Sequence, residues 1–131
     1  RLLHKKVGKE YWDYFRAWIK LITKDIHPLI AIGSGGNINK LYKMWDKKGK
    51  KPILYKKLET LCEKIESYTY EERIKILELH PDRADVIVPA SKIVLTVMKT
   101  ANIHEMIVPQ IGMTDGIIHQ LYEGTKKRKR R

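Results

Sequence analysis

Cysteine is almost absent: Cys62 is the only one among 131 residues. That excludes an internal disulfide and makes a reducing cytoplasm the natural setting. Long apolar runs are missing too, since none approaches the ~18 residues that a bilayer-spanning helix needs. No signal peptide is visible, although the chain opens at Arg1 without a methionine and so reads as a fragment whose N-terminal portion lies elsewhere. The common nucleotide loops are absent as well. No Gly-Lys-Ser/Thr follows the chain's glycine cluster, and Asn39 stands where the last glycine of a G-x-G-x-x-G pattern would fall. The five histidines show no i, i+4 pairing and have no cysteine partner at ligand spacing, which argues against a metal site. Carboxylate spacing nominates no acid/base pair. No internal repeat is present.

Acidic groups are in deficit, with 15 against 27 basic ones for a net charge of +12. The excess is unevenly placed. The last six residues, Lys126 to Arg131, are all basic and supply half of it. The body is therefore moderately basic, as suits an anionic ligand. Apolar residues make up 43% of the chain, enough for a real core.

Helical spacing dominates. Residues 8–24 read as a helix burying Tyr11, Tyr14, Phe15, Trp18, Ile19 and Ile22, and His27-Pro28 closes it. A strand is expected over 29–32, then a helix from Asn37 to Asp46 with Ile38, Leu41, Tyr42 and Trp45 as its stripe. The run Lys47 to Pro52 has the composition of a solvated loop. Leu54, Leu58, Leu61 and Ile65 mark a further helix. Thr69-Tyr70-Glu71-Glu72 has the form of a capping box, and the helix it starts carries Ile74, Ile76 and Leu77. A turn at His80-Pro81-Asp82-Arg83 feeds a long helix over Ala84–Ala101, broken at Pro89, whose proline suits a first helical turn. Met106 to Gln110 reads as a second strand, and Gly112 to Gly116 as a turn into a closing helix with Ile117, Ile118, Leu121 and Tyr122. Two strands do not make an independent sheet, so both are expected to join strands outside this chain. The three tryptophans, Trp12, Trp18 and Trp45, and Cys62 read as packing residues.

One stretch carries chemistry. In Leu29-Ile30-Ala31-Ile32-Gly33-Ser34-Gly35-Gly36-Asn37 an apolar run breaks into glycines and a helix follows at once. Glycines let the backbone approach a ligand closely. The first turn of the helix leaves N–H groups unpaired at its positive end, where a phosphate is favoured. Three glycines in four residues exceed what a turn alone requires. Farther on, Arg83 in Asp82-Arg83-Ala84-Asp85 is either the partner of a neighbouring aspartate or a planar fork aimed at an anion.

Taken in order, these pieces resemble the exopolyphosphatase / guanosine pentaphosphate phosphatase family, which has the two-domain actin-like, ribonuclease-H-like fold. Ala31 to Ile38 is similar to that family's GxGGT loop and its helix. Arg83-Ala84-Asp85-Val86-Ile87-Val88-Pro89-Ala90 resembles its RAD helix start, and Ile107 to Gly116 its strand and GLREG turn. Together they span roughly residues 25–124. Asn37 replaces the usual threonine, and Met113-Thr114-Asp115 replaces Leu-Arg-Glu. The resemblance implies a helix-rich α/β chain, with residues 1–125 forming part of the second actin-like domain and 126–131 a basic tail. It further implies a phosphate or nucleotide site at Gly33, Ser34, Gly35, Gly36, Asn37 and Arg83. Polyphosphate or guanosine pentaphosphate would be the substrate, Mg²⁺ the cofactor with ligands outside this chain, and a homodimer the assembly. The family's first-domain phosphate loop, catalytic glutamate and DxGGGS loop have no counterpart here, so this chain alone is expected to be inactive. Two other readings stand beside it. One is a polyanion or nucleic-acid module driven by the tail and the Lys47–Lys51 loop; the other is a dimerisation lobe using the aromatic first helix.

Overall fold

A single long helix organises the chain. In the computed structural model, which describes residues 8–46, 51–109 and 122–123, this helix runs from Pro81 to Thr100. It starts earlier than the apolar pattern indicates because Pro81 occupies its first turn and His80 caps it, the imidazole Nδ1 accepting from the Asp82 N–H at 3.3 Å. Pro89 therefore lies inside an unbroken helix and does not open a new one. Its missing N–H leaves one rung of the ladder unmade. Burial at Ala84, Ile87, Ser91 and Met98 marks the inner face. Ser91 is the buried polar residue of that face, and its hydroxyl donates to the Ile87 carbonyl.

The other helices pack around it. They are α1 (Lys9–Thr23), α2 (Gly36–Trp45), α3 (Tyr55–Ser67) and α4 (Tyr70–Lys75), and the long helix is α5; all four contact α5. Helix α3 presents Leu58, Cys62 and Ile65 at helical spacing, and α2 adds Leu41 and Tyr42. Each such aliphatic side chain contributes about 1.5–3 kcal/mol by leaving water. The capping box forms as expected at Thr69 and Glu72. Arg73, in α4, then reaches back across the joint. Its guanidinium donates to the carbonyls of Ile65 (3.0 Å), Ala84 (3.3 Å) and Glu66 (3.4 Å), tying α3 to α5.

The expected buried face of α1 is corrected. Ile19 is buried, and Trp12 and Phe15 are partly so, but Tyr11 (72% exposed), Tyr14 (76%), Trp18 and Ile22 face outward. The apolar arc of α1 is wider than the surface α5 offers it, so half of it stays in water. Trp18 is thus no core anchor. Trp45 does pack, edge-on against Tyr42 with ring centres 5.6 Å apart.

Three strands form one mixed sheet in the order β1 (Ala31–Ile32), β3 (Glu105–Ile107), β2 (Ile53–Leu54). β1 runs parallel to β3 and β2 antiparallel to it. The third strand lies within the chain, contrary to the expectation that all partners lie outside. Leu54 belongs to β2 and not to the stripe of α3. A two-residue strand is too short to show alternation, which is why β2 is invisible to periodicity. Ala31, Met106 and Ile53 lie in register on the core side. On the other side Ile32, Ile107 and Leu54 are exposed. The turn and helix expected at 112–122 lie outside the described residues, apart from Tyr122 and Glu123, which are helical. Among the described residues no helix is long and apolar enough to cross a membrane.

Candidate phosphate corner

The glycine cluster sits where β1 hands over to α2, and its glycines are required for different reasons. Gly33 is packing-limited: a Cβ there would lie 2.6 Å from the Met106 sulfur and 2.8 Å from the Ile38 Cγ2. Its N–H donates to the Ile107 carbonyl at 2.8 Å, extending the β1–β3 ladder by one residue. Gly35 holds φ 101°, ψ 163°, a conformation that L side chains resist, with open space beside it. Gly36 is approached by Arg83. A Cβ on Gly36 would meet the guanidinium nitrogens at 2.5 and 2.6 Å.

Arg83 reaches this corner from the first turn of α5, 46 positions along the chain. Its Nη1 donates to the Asn37 Oδ1 at 2.8 Å. The structure thus brings together Gly36, Asn37 and Arg83, three of the six residues singled out in the sequence. Asn37 does not cap its helix, and its carboxamide oxygen instead orients the guanidinium. That bond takes one of the five N–H donors on a planar fork suited to phosphate oxygens. Ser34, Gly35 and Gly36 are exposed at the bend, while Gly33 is buried beneath it.

Two helix N-termini therefore meet here in different states. That of α5 is capped by His80 and carries Asp82 in its first turn. That of α2 begins at a glycine, without a side-chain cap and without an acid in the first turn. The N–H groups of such a turn have no partner within the helix, and their partial positive charge adds to that of the arginine. An uncapped helix end, exposed glycines and a guanidinium thus share one corner.

Other candidates fall away. Burial pushes the Cys62 thiol pKa up, against a smaller opposing effect of its hydrogen bond with Ser91, so it stays a protonated core residue and not a nucleophile. Among the described residues no group of three His, Cys, Asp or Glu side chains is placed to hold a metal ion. Sequence reasoning missed Arg73, whose place in a short capped helix looks like that of any solvated cation. It also missed Glu78, which adopts a left-handed φ of 56° just before α5.

The model of the Ppx/GppA phosphatase family matches residues 9–124. The chain belongs to that family. Solved Ppx/GppA structures share its fold. The crystal structure of the Aquifex aeolicus family member superposes with a TM-score of 0.68 at 20% identity, covering 91% of this chain and 40% of its own. The type II variant of the Aquifex aeolicus Ppx/GppA phosphatase gives 0.66 at 18% identity, covering 84% and 39%. This chain therefore spans about two fifths of the length of those Ppx/GppA proteins. The architecture is the expected one, a helix-rich α/β fragment of the actin-like fold. No curated protein sequence matches the chain significantly.

Proposed function

We propose that residues 1–125 form part of the second actin-like domain of a Ppx/GppA phosphatase and that the corner at Gly33–Asn37 is one wall of its phosphate-binding cleft. The observation that carries this reading is the Arg83–Asn37 hydrogen bond laid against Gly36, beside an uncapped helix N-terminus. Gly33 sets the bend, Ser34, Gly35 and Gly36 present donors, and Arg83 grips phosphate oxygens. The full enzyme would remove terminal phosphates from polyphosphate or guanosine pentaphosphate. As charge builds on the transferring phosphoryl group, fixed amides and a guanidinium stabilise it without reorganising. The carboxylate that activates water would come from the other lobe, not from this chain.

Mg²⁺ does not fit this corner. Its groups are N–H donors and a cation, which repel a metal, so no step here runs through one. A cytoplasmic setting agrees with the single buried thiol.

Isothermal titration of this chain with tripolyphosphate tests the proposal. Binding is expected to weaken about tenfold or more in Arg83→Ala, with little change on removal of residues 126–131. Unchanged affinity in Arg83→Ala, or loss of most affinity with the tail, would overturn it. With Mg²⁺ present, no phosphate release is expected.

A second reading has one specific observation behind it. The outward face of α1, with Tyr11, Tyr14 and Trp18 in water, suits a contact with a second copy of the chain. Sedimentation at several concentrations checks it: a monomer throughout would exclude a homodimer through α1.

A further inference from the structure

The end of the sheet opposite the phosphate corner holds a cavity of about 500 Å³, lined by His27, Pro28, Leu29, Thr100, Asn102 and His104. Because β1 and β3 run parallel, the segments that enter them lie side by side at this end. Carried back from Ala31 opposite Met106, the register sets His104 opposite Leu29, two residues from His27. With strands about 4.8 Å apart and about 3.3 Å per residue, the two imidazoles rise from backbone within ~10 Å of each other. A single ion between them lies within reach of both.

The backbone decides the sign of the ligand. Helix α5 ends at this pocket in a left-handed turn. Asn102 has φ 58°, its N–H donates to the Lys99 carbonyl at 3.3 Å, and the Ile103 N–H donates to the Met98 carbonyl at 2.7 Å. The C-terminus of a helix carries partial negative charge and favours a cation. That is the reverse of the α2 N-terminus at the other end of β1. The kind of cation follows from the donors. Imidazole nitrogens suit zinc, copper and nickel, whereas magnesium prefers carboxylates, phosphates and water. Among the described residues no carboxylate lines the pocket, and both histidines are exposed and so open to an ion from solution.

We propose that His27 and His104 together bind one divalent transition-metal ion of the Zn²⁺, Ni²⁺ or Cu²⁺ class. Water fills the positions that two nitrogens leave, with the Thr100 hydroxyl and the Asn102 carboxamide as its hydrogen-bond partners. The ion clips the segment entering β1 to the one entering β3, and so steadies the strand whose far end carries the glycines. The site stands whether or not that corner takes phosphate.

Calorimetric titration of the full chain with ZnCl₂ tests this, with MgCl₂ as the comparison. One Zn²⁺ per chain is expected in the tightest step, with no binding of Mg²⁺ at the same concentrations. His27→Ala and His104→Ala, at exposed positions that tolerate change, should each lose that step and leave metal-free urea unfolding as in the unaltered chain. Zn²⁺ should also raise the melting temperature of the unaltered chain and of neither variant. The rival site is His80, whose Nδ1 lies 3.7 Å from a carboxylate oxygen of Asp82. His80→Asn, which keeps a capping side chain, should bind Zn²⁺ as before. Absence of a tight step, a step that survives either histidine-to-alanine change, its loss in His80→Asn, or equal binding of Mg²⁺ would overturn the site.

Discussion

Arg73 and Arg83 stand on either side of the joint between α4 and α5, and their guanidinium groups meet different kinds of partner. Arg73 donates to three main-chain carbonyls from two helices, so its hydrogen-bonding capacity is absorbed by the fold. Arg83 donates to a side-chain oxygen, that of Asn37, and lies beside exposed glycines at an uncapped helix end. The first arrangement stabilises: the carbonyls of Ile65 and Glu66 lie at the C-terminus of α3, where donors are wanted and a cation is favoured by the helix dipole. The second holds a cation in place while leaving it near the surface. Identical chemistry serves architecture in one case and recognition in the other, and the neighbouring backbone decides which.

The comparison can be broken most forcefully at Arg73. Arg73→Ala should lower stability by about 2 kcal/mol in urea unfolding, since it removes three hydrogen bonds that join α3 to α5. Arg83→Ala should cost less, about 0.5–1 kcal/mol, since it loses a single part-buried hydrogen bond. Equal losses would erase the distinction. A difference of similar size separates two glycines of the same loop. Gly33→Ala forces a methyl group against Met106 and Ile38 and should cost about 1–3 kcal/mol. Gly36→Ala meets only the movable end of Arg83, so stability should hold while tripolyphosphate affinity falls a few-fold. The slightest effect is at Tyr55, at the start of α3. Burial, aided by a 2.9 Å hydrogen bond to Glu59, pushes its phenol pKa up to about 12 from 10.0. A raised pKa means that its contribution is complete below pH 10 and disappears as pH climbs to about 12. Tyr55→Phe should flatten that part of the stability–pH curve, as read by thermal unfolding.

Much of the scaffold is legible in the chain because helices write their burial at a fixed spacing. Leu58, Cys62 and Ile65 declare α3, and the Thr69–Glu72 box declares α4. What fails does so for physical reasons. β2 is two residues long and exists only because β3 pairs with it, so no local pattern encodes it. Pro89 looks like a helix start because proline is favoured there, yet Pro81 and the His80 cap already supply one. The arc of α1 shows which residues are apolar but not how much neighbouring surface is available to cover them. At the corner, the glycines and Arg83 are visible as candidates. That Asn37 is what joins them, across 46 positions, is a tertiary fact. The pocket shared by His27 and His104 was invisible for the same reason, its walls coming from two distant segments.

The parallel pairing of β1 with β3 has a consequence for the order in which this chain folds. Helices α2 to α5 all lie between the two strands, so nothing local can hold Ala31 and Ile32 until the segment ending at Ile107 has arrived. Closing so large a loop is slow, and its entropic cost falls before any contact rewards it. The bend at Gly33, clipped to the Ile107 carbonyl, is accordingly expected to set late, after the helical body that supports it has condensed.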